Sequence, residues 1–231
     1  MPTQKRYRRK RAPKRGRKTT GRMTSKVPKV LVPKTFRFKR DLEETLQLNP
    51  AAAPEGWTLD GTSRIYRNLA WALSSLGDQT DFTNLFRQYR LKGARVRLYF
   101  SNTTSGSDDA HFDNSQILVR MAPNQRGETE VLNSAYWQQI QAKKYKTAVN
   151  GGKPIDIYMP LFVRNEVESS TGTAYSIKKP NFISTTLNNV AHHGLNVAIE
   201  RVDGQQFTQG STNYQYAKMI TTLYFECRGV E

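Results

Sequence analysis

Two runs of cations open the chain: Lys5, Arg6, Arg8, Arg9, Lys10 and Arg11, then Lys14, Arg15, Arg17 and Lys18, with Arg22 just beyond. Guanidinium groups grip phosphate oxygens in pairs, and ammonium groups act as point charges. At this density the runs suit a polyphosphate backbone. Each neutralised phosphate releases a condensed counterion, so such binding weakens steeply with salt. Tyr7, inside the first run, can stack on a base. An unfolded segment presents no fixed geometry to base edges, so base specificity is not expected. The same runs fit a basic nuclear-localisation pattern, which makes a nuclear import receptor a second expected partner.

Other side chains carry weaker signals. Arg95 and Arg97 share a strand face, and Lys92 joins them only if Gly93 marks a bulge. Such a face is either a nucleic-acid contact or a solvated surface paired with carboxylates. His192 and His193 are adjacent and point to opposite faces of a strand, so with His111 they make a poor ligand sphere. No metal site is expected. Asp108, Asp109 and Asp113 read as a solvated acidic loop, and the sequon at Asn102 reads as a chance match. Cys227, the single cysteine, falls on an apolar strand face and reads as core. The chain shows no Gly-rich phosphate loop, no G-x-S-x-G and no H-E-x-x-H, so neither an enzyme nor a cofactor is expected.

The charge balance separates two parts. Residues 1–40 hold 17 Lys and Arg and no Asp or Glu, out of 36 cations and 19 acids in all. The remainder, 41–231, carries 19 of each sign and sums to zero. Pro2, Pro13, Gly16 and Gly21 interrupt any apolar stripe in the basic part, and little before Val27 can bury apolar surface. Residues 1–34 are therefore expected to be a disordered arm, and 35–231 one folded domain. No apolar run approaches the roughly 18–20 residues of a membrane span, and no apolar stretch of signal-peptide type follows the basic start.

The elements that must position these groups are strands. Phe36, Phe38, Leu42, Leu46 and Leu48 share one parity. Residues 49–62 read as loop, and 64–76 as a strand or a short helix. Asp81–Phe86 reads as a turn, and 87–100 as the clearest strand, with Ala94, Val96, Leu98 and Phe100 on its apolar face. Further strands are expected at 116–121, 143–149, 154–162, 194–200 and 214–228, with a short helix at 131–142 and an extended polar loop at 164–190. About eight strands with long loops imply an all-β, eight-stranded jelly-roll sandwich.

A basic arm before a β body of this size resembles the capsid proteins of circoviruses and related small circular single-stranded DNA viruses. Three stretches carry the likeness: Tyr89–Phe100, His193-Gly194-Leu195 running on to Glu200, and Tyr214–Arg228. Their order and spacing agree over roughly residues 85–228. The arm mixes Lys with Arg where circovirus arms are more Arg-dominated, which favours a circovirus-like relative. The resemblance implies a homo-oligomer of sixty copies in a T=1 icosahedral shell. It also implies an inward arm on a single-stranded DNA genome, with host RNA as the substitute in expressed particles. Localisation follows as the virion, and the host nucleus during assembly. The attachment factor on the host cell stays unknown. The alternative reading is a cellular, ribosomal-type nucleic-acid-binding protein with a basic extension.

Overall fold

A computed structural model describes residues 34–48, 51–61, 63–102, 116–124, 137, 144–148, 152–169, 172–204, 206–207 and 215–230. The chain divides after Pro33, and the strands all belong to the second unit, Lys34–Glu231.

Two antiparallel sheets face each other. In the first, β1 (Thr35–Leu48) pairs β12 (Gln215–Val230), and β12 pairs β4 (Phe86–Asn102). The far edge of β4 is shared by β7 (Ile155–Pro160) and the two-residue β10 (Ile183–Ser184). In the second sheet, β3 (Arg64–Trp71) lies beside β11 (His192–Arg201), then β5 (Ile117–Pro123) and β6 (Lys144–Ala148). The orders β1-β12-β4-β7 and β3-β11-β5-β6 form an eight-stranded jelly roll.

Alternation of apolar residues builds this frame. Leu46, Leu48, Val96, Leu98, Ala217, Leu223 and Phe225 point inward from the first sheet and are buried. Ile65, Leu69, Ile117, Val119, Val197 and Ile199 meet them from the second. Phe36 and Phe38 are half-buried and close one end with Phe82, Phe86 and Phe225, whose rings lie 4.9–5.6 Å apart. Cys227 is fully buried on the same inward face, and burial pushes its thiol up to about 12.

Four strands lie outside the eight, and the sequence did not announce them. Residues 49–62 contain β2 (Thr58–Asp60), which pairs β3. The expected polar loop at 164–190 is largely a hairpin, β8 (Phe162–Ser169) with β9 (Gly172–Lys178), followed by β10. Its Ser, Thr, Glu and Gly content imitates a loop, because a two-stranded ribbon need not show alternating burial. The expected turn at 81–86 is a helix, α1 (Gln79–Leu85), anchored by the single buried residue Phe82. One anchor leaves no helical period to read. Residues 64–76 divide between β3 and a 3-10 turn at Leu73–Ser75. Of the helix expected at 131–142, only Trp137 lies among the described residues.

Strand β11 departs from simple alternation. Leu195, Val197 and Ile199 face the core as expected, but Asn196, Ala198 and Glu200 are buried too. A second apolar cluster of Tyr66, Ala122, Trp137 and Ala198 covers the outer side of this sheet, with Trp137 stacked on Tyr66 at 6.4 Å. Glu200 is held there by Arg64 from β3 and Arg120 from β5. Gly194 allows a close crossing: a Cβ there would come within 2.6 Å of Met159 Sδ.

His192 lies fully buried at the start of β11, with Nδ1 2.9 Å from the Val190 carbonyl and its ring 6.0 Å from that of Tyr89. Burial pushes its pKa down to about 4 from an ordinary 6.5, against the pull of the Val190 carbonyl. The folded state therefore stays neutral over a range where the unfolded chain takes up a proton. Stability from this group is complete above pH 6.5 and falls by about 1.4 kcal/mol per pH unit below it, levelling off near pH 4. Chemical unfolding at pH 7 and pH 5 should show this loss, and a His192→Asn variant should show less of it.

Candidate nucleic-acid interface

The arm residues Lys5, Arg6, Arg8, Arg9, Lys10, Arg11, Lys14, Arg15, Arg17, Lys18 and Arg22 lie outside the described residues, as do His111, Asp108, Asp109 and Asp113. The strand candidates Lys92, Arg95 and Arg97 are described, and the structure brings all three onto one face.

The device is a bulge. Along β4, Tyr89 and Leu91 face the core, and further on Ala94, Val96, Leu98 and Phe100 do. The inward parity therefore switches from odd to even between them. In the ladder, Phe225 of β12 faces Leu91 and Tyr224 faces Gly93, so Lys92 is the extra residue. Its side chain is turned to the same outer face as Arg90, Arg95 and Arg97. Glycine relieves crowding at the bulge, since a Cβ on Gly93 would lie 3.1 Å from the Met159 carbonyl and 2.5 Å from the Tyr158 hydroxyl.

Carboxylates from neighbouring strands meet these cations. Glu226 on β12 is only 3% exposed and receives Arg90 Nη2 at 2.6 Å, Lys92 Nζ at 3.1 Å and Arg37 Nε at 3.3 Å. Burial alone would raise its pKa, but hydrogen bonds from Arg90 and Lys92 outweigh that and hold it below the ordinary carboxylate value. Asp156 on β7 accepts Arg95 Nε at 2.8 Å. That bond lowers the Asp156 pKa, with burial opposing, and raises that of Arg95. Arg97 reaches Thr222 Oγ1 at 3.4 Å, and its Nε has no hydrogen-bond partner among the described residues.

The outer face of this sheet is cationic despite those pairs. Strand parity places Arg37, Lys39, Arg90, Lys92, Arg95, Arg97, Lys218 and Arg228 on it, against Asp41, Glu43, Asp156 and Glu226. A domain of residues 35–231 that holds 22 cations and 19 acids thus gathers its surplus on one face. Arg37, Lys39 and Arg40, three of the 17 cations before residue 41, belong to β1 and not to the arm. Arg40 is bound to Asp78 at 2.6 Å. Fourteen cations remain in residues 1–34.

Sequence reasoning missed the acidic half of this arrangement. Glu226 was visible on the outward parity of the last strand, and Asp156 within the 154–162 strand. Nothing local shows that Glu226 sits opposite Arg90, because that register is set by pairing across 136 residues. His192 and His193 sit side by side at the start of β11, both buried. Among the described residues no group of three or more His, Cys, Asp or Glu is placed to hold a metal.

A family model described as circovirus capsid protein matches residues 2–231. No curated protein matches the chain. Among solved structures the chain is similar to the 60-mer of the BFDV capsid protein, at 13% identity and a TM-score of 0.56, over 85% of this chain and 94% of that one. A decameric form of the BFDV capsid protein aligns at 14% identity and a TM-score of 0.42, over 86% of this chain and 100% of that one. At this identity the first likeness is one of fold.

Replacing Glu226 should expose how far the face depends on it. Glu226→Gln leaves three cations crowded around a neutral amide. The cations are partly exposed, so the expected loss is about 1–3 kcal/mol at neutral pH. Because the carboxyl pKa is lowered in the folded state, its contribution is present above the ordinary value of 4.5 and disappears as pH falls through the folded value. Urea unfolding should find parent and variant converging in acid.

Proposed function

The chain belongs to the circovirus capsid protein family, and from that premise we propose that copies of it assemble into an icosahedral shell that packages circular single-stranded DNA through residues 1–34. Membership makes it a structural protein of the virion and sets aside the ribosomal-type alternative. The observation that carries the packaging step is the charge asymmetry: fourteen cations and no acids in residues 1–34 beside a remainder, 35–231, with 22 cations and 19 acids.

The two parts suit two tasks. A body with an excess of only three cations lets many copies approach with little self-repulsion. The basic segment supplies affinity for phosphate wherever the strand runs. The BFDV capsid protein forms a 60-mer. Sixty copies of this chain, with fourteen arm cations each, would bring roughly 840 positive charges to the interior, enough to neutralise phosphates on the order of that number. The outer face of the β1-β12-β4-β7 sheet would add a second, weaker contact through Lys92, Arg95 and Arg97. Arg95 and Lys92 are already hydrogen-bonded to carboxylates, whereas among the described residues the Arg97 guanidinium reaches only the Thr222 hydroxyl, which makes it the strongest phosphate donor of the three. The same basic runs would act earlier, on an import receptor, to bring the subunit into the host nucleus.

Deleting residues 1–34 separates these tasks. Particles from the deleted chain should retain far less nucleic acid, read from the ratio of absorbance at 260 and 280 nm. The slope of log affinity against log salt should flatten by up to about 10, at roughly 0.7 per cation lost on a single strand. A fluorescent fusion should stay out of the nucleus. Unchanged retention together with unchanged nuclear entry would end the proposal.

A further inference from the structure

Beside the cationic face the sandwich is open. Between β7 and the β5–β6 pair lies a cavity of about 530 Å3, within the roughly 300–1,000 Å3 typical of small-molecule sites. Met121, Met159 and Phe162 form an apolar floor, and Lys144 and Lys146 stand at the rim. Lys146 Nζ donates to the Asp156 carbonyl at 2.6 Å, which fixes that ammonium at the mouth.

Tyr158 completes the wall. Its ring is 64% exposed, the highest value among the exposed large apolar and aromatic side chains described. The ring is nevertheless held in place. It makes an edge contact with Tyr224 at 6.1 Å and 62°, and its hydroxyl lies over Gly93, where no Cβ intervenes. An aromatic ring that is both exposed and immobilised can be stacked upon with little further loss of rotamer freedom. It also neighbours the Arg95–Asp156 pair on the outward side of β7.

Resting on the reading that this chain packages single-stranded DNA, we propose that the cavity is a nucleotide subsite. Tyr158, on the outward side of β7, stacks one base at the lip, and the cavity lined by Met121, Met159 and Phe162 receives the neighbouring base. Lys144 and Lys146 hold the phosphates on either side. Stacking tolerates every base, because each has a π-face. That tolerance is what a subunit needs when any part of a genome can pass over it. A wholly apolar occupant would fit less well, since it would strip water from two ammonium groups and return no partner.

The test uses the full-length protein and a short oligothymidylate titrated across salt. Tyr158→Ala should weaken binding about tenfold at every salt concentration. The salt slope should not change, because stacking releases no counterions. Tyr158→Phe should bind like the parent. The Lys144→Ala and Lys146→Ala variants should each flatten the slope by roughly 0.7. Deleting residues 1–34 probes the packaging reading separately: it should remove most of the slope while the Tyr158→Ala penalty persists in the shortened chain. Photo-crosslinking of an iodouracil-substituted oligonucleotide to the parent protein should label the peptide that contains Tyr158, with no substitution needed. The subsite is overturned if Tyr158→Ala unfolds at the parent's temperature and binds with the parent's affinity, whatever the arm deletion does. It is equally overturned if Tyr158→Ala loses self-assembly while its oligonucleotide affinity is intact, since the ring would then serve a contact between copies.

Discussion

At Gly93 the longest strand in the molecule changes phase. Before it, odd residues of β4 face the core; after it, even residues do. A strand of 17 residues without such a step would have to turn one of its halves the wrong way. Either Tyr89 and Leu91 would face water, or Val96, Leu98 and Phe100 would. The extra residue, Lys92, lets both halves bury their apolar side chains against one core. The same step puts Arg90, Lys92, Arg95 and Arg97 on one outer face, where Glu226 and Asp156 can reach three of them. Core packing and surface charge are therefore consequences of a single backbone irregularity. Its tolerance is narrow, because the Met159 carbonyl and the Tyr158 hydroxyl close over the glycine.

Buried carboxylates follow the same logic on both sheets. Glu226 is ringed by Arg37, Arg90 and Lys92, and Glu200 by Arg64 and Arg120. An isolated buried carboxylate would be costly; with several donors around it, its lone pairs are satisfied. Each acid also ties together three strands. Glu226 links β12 to β1 and β4, and Glu200 links β11 to β3 and β5. In both cases cations outnumber the acid they surround. That is how a body whose charges nearly balance leaves positive potential on chosen surfaces.

What could be read from the sequence was what one strand encodes by itself. The alternation from Ala94 to Phe100 showed both the strand and its faces, and the dependence of Lys92 on a bulge at Gly93 was legible from the glycine. Six of the eight principal strands, β1, β4, β5, β7, β11 and β12, carry apolar residues at period two, whereas 64–76 reads equally as a strand or a short helix and β6 shows no alternating burial. The rest needed partners. β2 and β10 span three and two residues, too short for any period. The β8–β9 ribbon pairs mainly with itself and has no reason to alternate apolar with polar residues. The burial of Ala198 depends on a cover contributed by Trp137, about sixty positions away in the chain. Likewise the cations of the candidate interface were evident, whereas the carboxylates that orient them came from register. Arg37, Lys39 and Arg40 illustrate the same limit: composition locates a charge along the chain but not the element that holds it.

On the proposed function, the two basic elements would act over different distances. The field of the sheet face is screened within about 8–10 Å at physiological salt. Its partly compensated cations can act only on a strand already in contact. Covalent geometry gives residues 1–34 a far longer range, up to about 110 Å at ~3.3 Å per residue. On that proposal, reach would reside in residues 1–34 and orientation in the sheet. Capacity for nucleic acid should scale with arm charge, because each neutralised phosphate contributes its own counterion release. The order of the strand against the inner wall, by contrast, should depend on side chains whose positions are fixed by the fold. A subunit that placed all its cations in the sheet would hold nucleic acid firmly but gather little of it. One that placed them all in the arm would gather it without seating it. Under the proposed packaging, the division between a far-reaching source of charge and a fixed one would follow from the screening length, and it would hold for any sequence packaged.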